Sequence, residues 1–126
     1  MSHFTEIETQ IRDAEALREA CAELGLELLE NADARGFSGM VRRGEYVVRL
    51  KGPYDIALNR QSDGSYSLEA DHWNGHVERE TGPNYGRLLQ LYGVHKATRE
   101  ARRKGYTVRR SAAKNGGIKL SIGGMR

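Results

Sequence analysis

The chain has 126 residues, 38% of them hydrophobic and 29% charged, a size that fits one domain over 1–126 and leaves no room for a second independent core. No apolar stretch approaches the roughly 18 residues that cross a bilayer, so no membrane partner is expected, and Met1-Ser2-His3-Phe4-Thr5-Glu6 lacks the basic-then-apolar pattern of a secretory leader. The single cysteine, Cys21, excludes an internal disulfide and a cysteine-based zinc site and points to a reducing, cytoplasmic compartment.

The net charge of +3 conceals a strong asymmetry. Residues 1–30 carry eight acids and two bases, residues 31–95 eight of each, and residues 96–126 ten bases against the single acid Glu100. The acidic first quarter and the basic last quarter can attract each other within the fold or between protomers, which leaves self-association open. Alternatively, the basic end can meet a polyanion or an acidic protein surface. The plainer alternative is a set of solvated polar helix faces.

In chain order, Ser2 to Ile11 alternates with period two and is expected as a half-exposed strand. Asp13 suits an N-cap for a helix over 13–24, with Leu17, Ala20, Cys21 and Leu24 as its apolar stripe and Gly25 just past its end. Leu26, Leu28 and Ala32 mark a second strand. Three glycines between Ala34 and Gly44 then predict a turn and loop, with a short strand around Phe37–Arg42. Tyr46–Leu50 is a strand core, ended by Gly52-Pro53. Ile56, Leu58 and Arg60 begin a strand that returns through Asp63-Gly64 to Tyr66, Leu68 and Ala70. Residues 73–77 and 81–83 read as loop. Asn84 is expected to cap a second helix over 85–104 with Leu88, Leu91, Tyr92, His95, Thr98 and Ala101 on one stripe and Gly105 after it. Thr107–Ser111 and Gly117–Ile122 form a final hairpin around Asn115-Gly116. The expected fold class is α+β, an antiparallel sheet with two helices packed on it. Strand, helix, strand, strand recurs in the two halves, as two β-α-β-β units on one sheet would, though without residue-level identity between them.

Chemistry-bearing residues are sparse. Asp71, His72, Trp73 and His76 cluster, but Gly75 interrupts the helical spacing that would set both imidazoles on one metal, and no third ligand follows by spacing. A Met1-Ser2-His3 chelate loses its spacing once the initiator Met is removed. Cys21 on an apolar stripe reads as a small buried hydrophobe, and His95 as a half-buried, hydrogen-bonded residue. Phosphate-loop, dinucleotide, nucleophile-elbow and zinc-protease signatures are missing, so neither a cofactor nor an enzymatic activity is expected. The basic segment is the strongest candidate: Lys96, Arg99, Arg102, Arg103 and Lys104 from the second helix, Arg109, Arg110, Lys114 and Lys119 from the hairpin, and Arg126 from the tail, with Tyr106 able to stack on a base. It carries neither an aromatic RNA-binding signature nor a Gly-x-x-Gly loop.

Three runs carry a family likeness: Met1 to Asp13 with Leu17 and Ala22-Glu23-Leu24-Gly25; Leu88 to Lys96 with Glu100 to Tyr106; and Asn115-Gly116-Gly117-Ile118-Lys119-Leu120. Over nearly its whole length the chain resembles domain-of-unknown-function family 1257, which includes the hypothetical chloroplast open reading frame 35 protein. The resemblance implies a short single-domain protein of cytoplasm or plastid, with no established activity and no assigned site residues. It also implies a partner role, because some relatives neighbour genes for AAA-type ATPases. His3, Tyr92, His95 and Lys96 fall in the family-like runs and are further candidates.

The expected function is that of a non-enzymatic binding or adaptor protein acting on a protein partner, an AAA-type ATPase being the candidate the resemblance suggests. The alternative is a nucleic-acid binder using the same basic residues. A third reading, a small enzyme or metal protein, would rest on His3, His72, His76 or His95.

Overall fold

A computed structural model describes residues 4–125, so the His3 candidate and the Met1-Ser2-His3 motif lie outside the described residues, as does Arg126. The elements are β1 (Phe4–Glu8), α1 (Ala14–Glu23), β2 (Glu27–Arg35), β3 (Val41–Arg49), β4 (Ile56–Arg60), β5 (Tyr66–Asp71), a one-turn α2 (Glu78–Thr81), α3 (Gly86–Arg103), β6 (Tyr106–Ala112) and β7 (Ile118–Met125).

β1 to β5 make one antiparallel sheet in the order β1-β5-β4-β3-β2. Its register sets Tyr46 opposite Leu58 and Leu58 opposite Leu68. With side chains alternating along each strand, Val48, Ile56, Leu58 and Leu68 turn to the face that α1 and α3 cover, joined there by Leu17 and Leu88. Each such fully buried aliphatic side chain stabilises the fold by roughly 1.5–3 kcal/mol. Val47 and Ala57 point the other way into a smaller cluster with Phe4 and Ala34. Arg42 lies over the Phe4 ring, 5.3 Å from its centroid.

The fold class is α+β as expected, with the two main helices as predicted. The last hairpin, however, does not join the main sheet: β6 and β7 form a separate two-stranded sheet. The chain order of two β-α-β-β units is present, but the second unit's hairpin stands beside α3 instead of extending the five strands.

The helix signals worked through their caps. Asp13 Oδ1 accepts the amides of Glu15 and Ala16 at 3.0 and 3.1 Å, and Gly25, at φ +74°, turns the chain out of α1. Asn84 is a correction. It lies in a 3-10 turn over Pro83–Tyr85, makes no capping bond, and α3 begins at Gly86 after Tyr85 in left-handed conformation. Tyr85 is thereby driven into the core at 2% exposure, where its hydroxyl meets His72 Nε2 at 3.1 Å.

Four further boundaries differ from expectation. β1 ends at Glu8, because the Thr9 hydroxyl donates to the Tyr66 carbonyl at 2.6 Å and Ile11 turns into the core. The glycine-rich stretch holds the expected turn, but that turn is shorter than read, and the strand expected around Phe37–Arg42 is displaced because Phe37–Gly39 belongs to the turn. β2 reaches Arg35 and β3 starts at Val41, with a 3-10 turn at Phe37–Gly39 closed by the Gly36 amide on the Met40 carbonyl at 2.7 Å. Gly44 belongs to β3, where a Cβ would collide with the neighbouring backbone; here glycine marks close approach, not a loop. The stretch 73–77, read as loop, holds a 3-10 turn at Trp73–Gly75, and a one-turn α2 at Glu78–Thr81 runs into the second stretch, 81–83.

Candidate functional site

The basic residues of α3 repeat at three and four positions, so Lys96, Arg99 and Arg103 share one side of the helix. α1 packs against α3 and presents its acids there. Lys96 Nζ lies 3.6 Å from Asp13 and 2.9 Å from Glu100. Arg99 reaches Asp13 at 3.8 Å and Glu19 at 3.4 Å. Burial works to raise the Asp13 carboxyl, but the Ala16 amide and the charges of Lys96 and Arg99 outweigh it and hold it below the ordinary carboxylate range.

The hairpin is tied to the same helix. Arg110 on β6 grips Glu23 with both terminal nitrogens, at 3.0 and 2.6 Å, a bidentate geometry that orders both partners. His95 Nε2 meets the same carboxylate at 2.8 Å and its Nδ1 lies 3.7 Å from Glu19. The Arg110 hydrogen bonds, aided by His95, pull the Glu23 pKa down to about 2. The acidic and basic ends of the chain thus attract each other within one fold.

The basic surface therefore divides. Lys96, Arg99 and Arg110 are partnered by α1, and Arg103 reaches Glu100 at 3.7 Å. Arg102, Lys104, Arg109, Lys114 and Lys119 are exposed and make no ion pair among the described residues. Tyr106 is half-buried.

Between α3 and β6 runs an open cleft of about 640 Å³, walled by Arg99, Arg102, Arg103 and Arg110, with Glu19 and His95 on the α1 side and Val94, Thr98 and Val108 as its less polar lining. Sequence reasoning found the arginines but not these lining residues. Nothing in the spacing shows that the hairpin folds back onto α3. The inward face of the hairpin holds Val108, Arg110, Ile118, Leu120 and Ile122 by strand alternation and register. Ile118 and Leu120 are half-buried, and Ile122 stays 54% exposed.

The remaining candidates are structural. Tyr92 is 7% exposed, and its hydroxyl accepts the amides of Arg12 and Asp13 at 3.0 and 3.1 Å. It thus holds the chain where α1 begins. His72 turns to Tyr85, whereas His76 stacks edge-on with Tyr54 at 5.0 Å and bonds Arg79 at 3.1 Å; the two imidazoles do not converge. Burial pushes the Cys21 thiol up to about 12, which leaves it protonated at neutral pH and unsuited to nucleophilic work.

A second exposed surface escaped the sequence reading. The buried Asp71 carboxylate accepts the Trp73 amide at 2.9 Å and the Phe37 amide at 3.1 Å, so that one side chain fixes two loops. The Phe37 and Trp73 rings meet edge to face, with centroids 5.7 Å apart, and Trp73 stays 48% exposed. Its neighbour His72 contacts Tyr85 at the start of α3. At about 1.5 Å per residue the basic end of that helix lies roughly 25 Å away.

The fold is thus a helix-covered antiparallel sheet carrying a separate basic hairpin clipped to its acidic first helix. The chain belongs to the family described as protein of unknown function (DUF1257), whose model matches residues 20–120. No protein of curated function and no solved structure matches it.

Proposed function

We propose that the protein is a non-enzymatic adaptor that binds a protein partner through the end of α3 and the β6–β7 hairpin. The observation that carries this reading is the mixed surface there. Exposed cations that make no ion pair among the described residues (Arg102, Arg109, Lys114) surround apolar hairpin residues that the fold leaves partly uncovered, Ile122 above all. Surfaces that join apolar area to arginine suit protein recognition. The family likeness adds an AAA-type ATPase as the candidate partner and the cytoplasm as the compartment. No helix of the described residues is long and apolar enough to cross a membrane.

A nucleic-acid interface is the second reading, favoured by the same unpaired cations. Two features weigh against it. The carboxylates of Glu19 and Glu23 border the basic cleft and repel phosphates, and the exposed aromatic rings of Phe37 and Trp73 lie near the other end of α3.

The test is affinity capture by the tagged full chain beside a variant carrying Arg102→Gln, Arg103→Gln and Arg109→Gln. The account predicts a defined protein captured by the native chain and lost from the variant. A partner held equally by both would sink the proposed surface.

A further inference from the structure

The α3–β6 cleft has the form of a strand-addition site. We infer that it receives an extended acidic segment of the partner, laid beside β6 as a third strand; this deepens the adaptor reading and rests on it.

Three observations converge. First, β6 has a strand on one side only, because its sheet contains just β6 and β7. A two-stranded ribbon is marginal alone and gains from a third strand, and the unpaired edge offers a row of backbone donors and acceptors. The consecutive residues Gly105 to Val108 line a second cleft of about 330 Å³ that shares Arg102 and Val108 with the larger one. The edge of β6, and not only its face, therefore borders the trough.

Second, the trough already recognises carboxylates. Glu23 sits bidentate on Arg110 and Glu19 reaches Arg99 at 3.4 Å. Those two guanidiniums are filled from α1. Arg102 makes no ion pair among the described residues, and Arg103 is 66% exposed with only a 3.7 Å approach to Glu100. They offer the same forked donors to carboxylates from outside.

Third, the lining between the charged walls includes Val94 and Val108. An extended peptide alternates its side chains, so it can set carboxylates on Arg102 and Arg103 and an apolar residue on the two valines. A nucleic-acid strand carries a charge at every phosphate and would bring several against Glu19 and Glu23. Of the rings that line the trough, His95 is held between those same two acids and Tyr106 lines the adjoining cleft at the start of β6.

The experiment is fluorescence anisotropy with the full chain. The probe is a labelled peptide of alternating Glu and Leu, about five residues long, the number that spans Tyr106 to Arg110 at roughly 3.3 Å each. Beside it run the same peptide with Gln for Glu and a labelled single-stranded oligonucleotide. The expected result is saturable binding of the acidic peptide, about tenfold or more weaker in each of Arg102→Gln and Arg103→Gln. Binding should be unchanged in Arg43→Gln, an exposed control on β3, with melting temperatures alike throughout. Binding of the Gln peptide as tightly as the Glu peptide, tighter binding of the oligonucleotide, or indifference to both substitutions overturns the inference. If the acidic peptide does not bind while the native chain still captures a defined protein, this inference fails and the adaptor reading stands. If neither occurs, both fail.

Discussion

Tyr92 shows how a residue in a family-like run can be purely architectural. Its hydroxyl accepts two successive amides, those of Arg12 and Asp13, just ahead of α1. The first amides of a helix have no partner within it, and those immediately before it need one as well when they are half-buried. Tyr92→Phe keeps the ring and removes the acceptor. The expected cost is about 1 kcal/mol of stability, the net worth of an ordinary hydrogen bond, because the two amides are only partly buried, read by chemical denaturation. Partner capture should be unchanged. A variant of native stability that no longer captured its partner would instead make Tyr92 a contact residue. Asp55 is a second architectural residue that spacing did not reveal. It is fully buried and accepts from Arg35 Nε and Nη2 at 2.7 Å each, from the Arg35 amide at 2.9 Å and from the Leu50 amide at 3.1 Å. Burial works to raise its pKa, but these bonds more than offset that and keep the carboxyl low. This pins the end of β2 to the loop ahead of β4.

Among the elements, the hairpin is the one whose placement depends on charge. Few apolar side chains hold β6–β7 to α3, and the Arg110–Glu23 clip supplies a directional contact. The folded pKa of Glu23, about 2, lies below its ordinary 4.5. A depressed carboxyl contributes stability that is fully present above its unfolded pKa and is lost as pH falls through the folded one. Hairpin docking should therefore be intact at neutral pH and loosen between about pH 4.5 and pH 2. In Glu23→Gln the contribution of this group to that loss should disappear. Thermal melts across that window check it, and an identical acid profile in native and variant chains would contradict it. This element also shows what the sequence revealed. Asn115-Gly116 and Gly105 announced a hairpin following a helix, and both are present, because turn and cap chemistry is local. The pairing of that hairpin with Glu23, some 87 positions away along the chain, is a tertiary fact, and charge blocks indicated only the attraction. In the stretch Ala34–Gly44 the turn is present, but its limits and the strand around Phe37–Arg42 were misplaced for the opposite reason. Gly39 does serve the turn, but Gly36 and Gly44 serve close approach, to Phe4 and to the neighbouring strand, a demand of residues distant in sequence. Asn84 failed because burying Tyr85 mattered more than capping α3.

At the scale of the whole molecule, the charge asymmetry of the sequence is partly neutralised inside the fold. Asp13 and the acids of α1 hold Lys96, Arg99 and Arg110, and the cations left outward among the described residues, Arg102, Lys104, Arg109, Lys114 and Lys119, surround an incompletely covered hairpin. That residue of charge and apolar area is the basis for reading the molecule as a binding module. It also separates the two readings, because phosphate neutralisation makes nucleic-acid affinity fall steeply with salt, whereas an interface with an apolar core keeps much of its affinity. The most direct measurement is affinity capture by the full chain from its own lysate, with half the sample treated with nuclease, followed by mass spectrometry. The account predicts a defined protein partner recovered equally from both halves. Recovery that vanishes with nuclease, leaving RNA or DNA in the untreated half, would contradict it and give the basic surface to nucleic acid.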